Sequence, residues 1–111
     1  MGWSARKEQI DSLNKIEKAI QSQPDYSLNP PKAGVLLDLF EPNGRDFGDP
    51  PHVNMRVKIE RIASSHRNET LNAWQATTTP AGFITIEPDG NLKFSSKQLK
   101  AQMFNLGLEA A

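Results

Sequence analysis

The chain of 111 residues has no cysteine. Disulfides, a thiolate nucleophile and zinc or iron–sulfur centres built on sulfur are therefore excluded. Small extracellular domains usually depend on such staples, so the composition predicts a cytoplasmic, reducing setting. Histidine is scarce as well: His52 and His66 are the only two, and neither has the paired neighbour a structural zinc site requires. Net charge is missing, with 13 basic and 13 acidic residues, which removes the footprint of a dedicated nucleic-acid-binding domain. Long apolar runs are missing too. No stretch approaches a membrane span and the N-terminal region has no signal-peptide centre, so neither membrane insertion nor secretion is expected. Asn68-Glu69-Thr70 has the form of a glycosylation acceptor, but without secretion that form carries no role.

Motifs of chemistry are equally thin. Asp38, Glu41, Asp46 and Asp49 surround Asn43-Gly44 and Gly48, yet they lack the alternating oxygen ligands and closing glutamate of a calcium loop. Gly44 and Gly48 lead into no Lys-Ser or Lys-Thr, so there is no phosphate loop. Ser64-Ser65-His66 places nucleophile and base types together, as turns often do, without the third group that would orient them. The sequence accordingly predicts no catalytic residues, no metal, no cofactor and no enzyme.

What is present suffices for one domain. Leu, Ile, Val and Phe fill 25 of 111 positions, above the level of about 20% below which composition signals disorder. The length suits a single core spanning residues 1–111. In residues 1–23, Ser4 suits an N-cap and Trp3 a hydrophobic staple, and Ile10, Leu13, Ile16 and Ile20 recur at helical spacing. Pro24 ends that helix near Gln23.

Residues 24–52 form a connection rich in proline and glycine, with two basic residues, Lys32 and Arg45, against the five acidic residues Asp25, Asp38, Glu41, Asp46 and Asp49. Inside it, Asn29-Pro30-Pro31 can open a helix that carries Ala33, Leu36, Leu37 and Phe40 on one side. The apolar run at 35–40 also fits a short strand; its leucine content favours helix.

From residue 53 the period changes to two: Val53, Met55, Val57 and Ile59 alternate with Asn54, Arg56, Lys58 and Glu60. A β-meander over residues 53–94 follows, with strands at 53–62, 71–79, 83–87 and 91–94. The last hairpin is predicted to the level of register. Pro88-Asp89-Gly90 supplies a turn, so Ile86 faces Leu92 and Ile84 faces Phe94 on one side, with Thr85 and Lys93 on the other. A helix over residues 95–108 closes the chain, capped by Ser95 or Ser96, striped by Leu99, Met103 and Leu106, and stopped at Gly107-Leu108. The predicted fold class is α+β, an antiparallel four-stranded meander covered by the N- and C-terminal helices.

The functional expectation is a non-enzymatic protein–protein interaction module, an assembly, adaptor or regulatory subunit, that associates with itself. Its candidate contact residues are Trp3, Ile10, Leu13, Ile16 and Ile20 on the first helix. The alternative is nucleic-acid binding through a basic strand face made of Arg56, Lys58, Arg61 and Arg67, with Trp74 as a stacking platform. The partner is thus a protein or a second copy, with nucleic acid as runner-up and no membrane.

Overall fold

The computed structural model of the chain describes residues 5–40 and 54–108. Its elements run α1 (Lys7–Gln21), β1 (Leu36–Phe40), β2 (Met55–Asn68), β3 (Ala73–Ile86), β4 (Leu92–Phe94) and α2 (Lys97–Asn105). The four strands pair antiparallel in sequence order, and the sheet curls into a half-barrel. The class is therefore α+β, with a four-stranded antiparallel sheet and two helices. No helix among the described residues is long and apolar enough to cross a membrane.

Helix α1 has neither glycine nor proline in its span, and Arg6 starts it by donating its backbone N–H to Gln9 Oε1 at 3.0 Å. Trp3 and Ser4, the expected staple and cap, lie outside the described residues. Its inward face consists of Gln9, Ser12, Ile16, Ala19 and Ile20, whereas Ile10 is 45% exposed. The expected stripe of Ile10, Leu13, Ile16 and Ile20 is thus turned at its N-terminal end. Two polar anchors cause the turn: Gln9 Nε2 donates to the Ile86 carbonyl at 3.2 Å, and Ser12 Oγ donates to the Gly90 carbonyl at 2.6 Å. A satisfied buried hydrogen bond holds a polar side chain inside as firmly as hydropathy holds an isoleucine. Gly90 takes the left-handed turn conformation, φ +91°, and a Cβ there would meet the Glu8 carbonyl oxygen at 3.0 Å, so turn and helix contact both require glycine.

The run at 36–40 is strand, not the helix its leucines favour. Gln23 explains why. Its side chain brackets the Leu36 backbone, accepting from the N–H and donating to the carbonyl, each at 2.9 Å, and so seats β1 beside α1. On the other side Ile62 N–H donates to the Val35 carbonyl at 2.9 Å, and the ladder continues from Leu36↔Arg61 to Phe40↔Val57. Five residues are too few for a stable helix but enough for an edge strand.

Strands β2 and β3, 14 residues each, replace what alternation divides into three strands. The chain does not turn at 64–70: β2 runs on to Asn68, and the reversal occupies 69–72. Nor does Thr79-Pro80-Ala81-Gly82 end β3, which passes through it with register irregularities opposite Ile59/Glu60 and Ile62/Ser64. Proline and glycine are tolerated in strands at such irregularities. The β3–β4 hairpin has the expected register, Ile84↔Phe94, Thr85↔Lys93 and Ile86↔Leu92. Ile84 and Ile86 are fully buried there, while Leu92 and Phe94 are half-buried, Phe94 standing edge-on to Phe104 with ring centres 5.9 Å apart.

Ser96 caps α2 by accepting from Leu99 N–H at 3.1 Å. A Schellman pair closes it, Leu108 N–H to Met103 carbonyl at 3.1 Å and Gly107 N–H to Phe104 carbonyl at 2.9 Å. Ile16 and Ile20 of α1, Leu36, Val57, Ile59, Ile84 and Ile86 of the sheet, and Leu99 and Met103 of α2 belong to one core cluster. The molecule measures 46 × 32 × 20 Å with a radius of gyration of 15.4 Å, against about 13 Å for a compact domain of this size.

Candidate interaction surface

Direct cross-strand partners share a face, so the ladder sorts the sheet's side chains. Val57, Ile59, Ile84 and Ile86 are buried on the core face. On the opposite face the register lines up Leu39, Lys58 and Phe83 in one row and Leu37, Glu60 and Pro80 in the next, with Arg56 beside Thr85. Leu39 is 50% exposed and Phe83 38% exposed, so this outer face carries apolar side chains among its charges. The charges are engaged. The Arg56 guanidinium lies 4.4 Å from the centre of the Phe83 ring, and Lys58 Nζ stands 3.8 Å from Glu60 Oε2. Glu60 is itself buried: Oε1 accepts from Thr78 Oγ1 at 2.8 Å, and Oε2 takes no hydrogen bond among the described residues, leaving the Lys58 ammonium as its compensation.

Past Ile62 the hairpin leaves the core. Every residue from 63 to 77 is exposed or half-buried, and pairs Ser64↔Thr77 through Asn68↔Ala73 hold a two-stranded arm that reaches about 15 Å. Its tip is ordered locally, with Asn68 Oδ1 accepting from Leu71 N–H at 3.0 Å and Asn68 Nδ2 donating to Gln75 Oε1 at 3.1 Å. Arg67 donates to Asn72 Oδ1 and lies 5.9 Å from the Trp74 ring centre. Leu71, 63% exposed, and Trp74, 39% exposed, are large apolar side chains with no core beneath them.

The two sets of residues suggested by the sequence fare differently. Ile16 and Ile20 are 0% exposed within the molecule's own core, Leu13 is half-buried against it, Ile10 alone is well exposed, and Trp3 lies outside the described residues. Of the stripe's described residues, Ile16 and Ile20 are thus occupied within the molecule, Leu13 in part, and Ile10 faces outward. The basic strip is divided. Arg56 and Lys58 sit on the outer sheet face, but Arg61 shares a row with Leu36 and donates to Gln102 Oε1 of α2 at 2.9 Å, and Arg67 with Trp74 sits on the arm. Lys58 and Arg67 are nine positions apart along the strand, about 30 Å, so these cations form no continuous track for a phosphate backbone.

Phe83, Leu39 and Leu71 are the exposed features, and Glu60 the buried charge, that periodicity did not single out. Phe83 was within reach, because a hairpin with Ile84 and Ile86 inward must turn Phe83 outward. Two open clefts lie elsewhere among the described residues. One cleft of 360 Å³ is lined by Lys15, Lys18, Ser22 and Leu106 among others, and another of 420 Å³ by Lys93, Ser95, Lys97 and Lys100 among others. Neither brings together an acid, a base and a nucleophile. Among the described residues no three His, Asp or Glu side chains cluster, His66 is exposed on the arm, and His52 and most of the acidic connection lie outside them. No family model, curated protein or solved structure matches the chain.

Proposed function

We propose that this chain is a non-enzymatic protein-interaction module that meets its partner with the β2–β3 arm and the adjoining outer sheet face. One observation carries the reading: the two longest strands run past the core as a ribbon that no other described element supports, bearing exposed Leu71 and Trp74. A free two-stranded ribbon is marginal in water, and a large aromatic at its surface is the residue type interfaces favour. In this reading the two helices cover the inner face of the curled meander, which leaves the outer face and the arm for binding. Arg56 over Phe83 and Arg67 over Trp74 add the cation–aromatic pairs common at contact surfaces. The absence of cysteine supports work in a reducing compartment.

A photo-reactive phenylalanine analogue placed at Leu71, and separately at Phe83, tests this in cells of the source organism, with exposed Asn14 of α1 as the control position. Protein adducts at Leu71 and Phe83 and none at Asn14 are expected. Adducts to nucleic acid instead would transfer the reading to the basic-strand alternative, and no adduct at either site would end it.

A further inference from the structure

Among the described residues, the outer edge of β3 is open beyond its pairing with β4. Its ladder with β4 covers only Ile84 to Ile86, and among the described residues 73–79 pair with β2 alone. Open edges invite pairing, and proteins usually blunt them with lysine or another charge. This one is not blunted: Ala73, Trp74, Gln75, Ala76, Thr77, Thr78 and Thr79 carry no charge, and tryptophan and threonine are good strand formers. The edge also has defined ends. Asn72 takes a left-handed conformation, φ 53°, at one end, and Pro80, without an N–H, stands at the other.

We propose that residues 73–79 of β3 pair antiparallel with the same residues of a second copy, joining the two arms into one four-stranded ribbon about a twofold axis at Ala76. This rests on the interaction reading and names the partner within it. The ends set the register. An edge of seven residues paired antiparallel with itself overlaps fully only when its midpoint, Ala76, meets the partner's Ala76. Trp74 then faces the partner's Thr78, an aromatic set against a β-branched residue on the same face. Gln75 faces the partner's Thr77 on the other face, and the small alanines at the axis let the backbones approach. Neutrality is what favours a second copy as occupant. Self-pairing sets each side chain against one from the same short list, and a list without charges creates no like-charge contact.

The test uses charge at the axis. Ala76 is exposed, so Ala76→Lys and Ala76→Glu leave the core untouched, which melting curves check. In sedimentation velocity the wild type is dimeric. Each variant alone weakens the dimer at least about tenfold, since like charges then meet across the axis. An equimolar mixture of the two restores the dimer, because only position 76 facing position 76 turns the repulsion into attraction. Since the chain has no cysteine, Ala76→Cys supplies an independent readout: it forms a covalent dimer on air oxidation, and Ala101→Cys on the exposed side of α2 does not. A monomeric wild type, dimers indifferent to both charges, or a mixture that fails to recover would overturn the proposal. If protein adducts at Leu71 persist in that event, the arm serves a different partner and the interaction reading survives; if they too are absent, both fall.

Discussion

Strands β2 and β3 run side by side for their whole length, yet their two halves obey different rules. In the half formed by residues 55–62 and 78–86, the sheet has a buried face. Met55, Val57, Ile59, Ile84 and Ile86 are each 4% exposed or less, and the ladder is fixed by what lies beneath it. In the half formed by residues 63–77 neither face is covered by the described residues, and the same backbone pairing is held by local polar contacts: Asn68 on Leu71 and Gln75, and Arg67 on Asn72 and Trp74. Identical secondary structure thus rests on burial in one half and on hydrogen bonds in water in the other. The first contributes most of its free energy to folding. The second contributes little, because each of its hydrogen bonds replaces one with solvent. On the proposed reading, its exposed apolar groups and open edge serve binding.

The largest effect expected from this contrast is in the core-backed half. Ile84 is fully buried between Val57 and Phe94 in the ladder and belongs to the core cluster. Ile84→Ala should cost about 2–5 kcal/mol, a large part of the stability of an ordinary domain. Chemical denaturation followed by far-ultraviolet circular dichroism measures it. A loss below about 1 kcal/mol would mean the core does not hold this half and the contrast is false.

The same contrast decides what could be read from the sequence. The β3–β4 hairpin was legible to the register because turn chemistry at Pro88-Asp89-Gly90 and the inward pair Ile84 and Ile86 gave one answer. Helix α2 was legible at both ends, in a serine cap that the sequence left between Ser95 and Ser96 and the structure assigns to Ser96, and in the Gly107-Leu108 stop. The arm was not. Alternation records a buried face, and with none over residues 63–77 among the described residues the serines and His66 read as a turn, while Pro80 and Gly82, in the core-backed half, read as breaks because the irregularity that admits them leaves no mark in the sequence. Helix α1 was recognised, but its inward face depends on Gln9 and Ser12, whose backbone partners at Ile86 and Gly90 lie 77 and 78 residues away. β1 is strand through the side chain of Gln23, another distant contact that local propensity cannot contain. For the candidate surface, alternation turned Arg56 and Lys58 outward, and the same period of two puts Arg61 on the opposite face, so grouping the three cations went against the pattern; what alternation could not reveal is that Leu71 and Trp74 stand clear of the core.

An intermediate effect is expected at the passage between the halves. Gly82 pairs with Ile59 beside the first irregularity and has φ +132°, which side chains disfavour. A Cβ there would collide with Ser95 Oγ and press on Leu99 Cδ2 at 3.1 Å. Ser95 Oγ accepts from Phe83 N–H at 3.0 Å, so moving it also strands that donor. Gly82→Ala should destabilise by about 1–3 kcal/mol. Adding Ser95→Ala removes the steric part and leaves the conformational part, so the double variant should be less impaired than the sum of the two single changes. Strict additivity would show that Gly82 is needed for its backbone alone.

The smallest effect on folding belongs to the arm. Trp74 is 39% exposed, and its cation–aromatic partner Arg67 is exposed as well, which limits their attraction to about 1 kcal/mol or less. At protein concentrations low enough for the monomer, Trp74→Ser should therefore change unfolding free energy by under about 1 kcal/mol. Hydrogen exchange separates this from a merely tolerant core position. Amides of residues 64–68 and 73–77 should exchange through local opening, far faster than those of Val57, Ile59 and Ile84, which should exchange near the global limit. Raising the protein concentration should then slow exchange on β3 residues 73–79, because an edge that pairs with a second copy is closed by mass action. Trp74→Ser should remove much of that slowing while leaving the core amides unchanged. Arm amides as slow as the core ones in dilute monomer would erase the difference between the halves, since the ribbon would then be holding the fold.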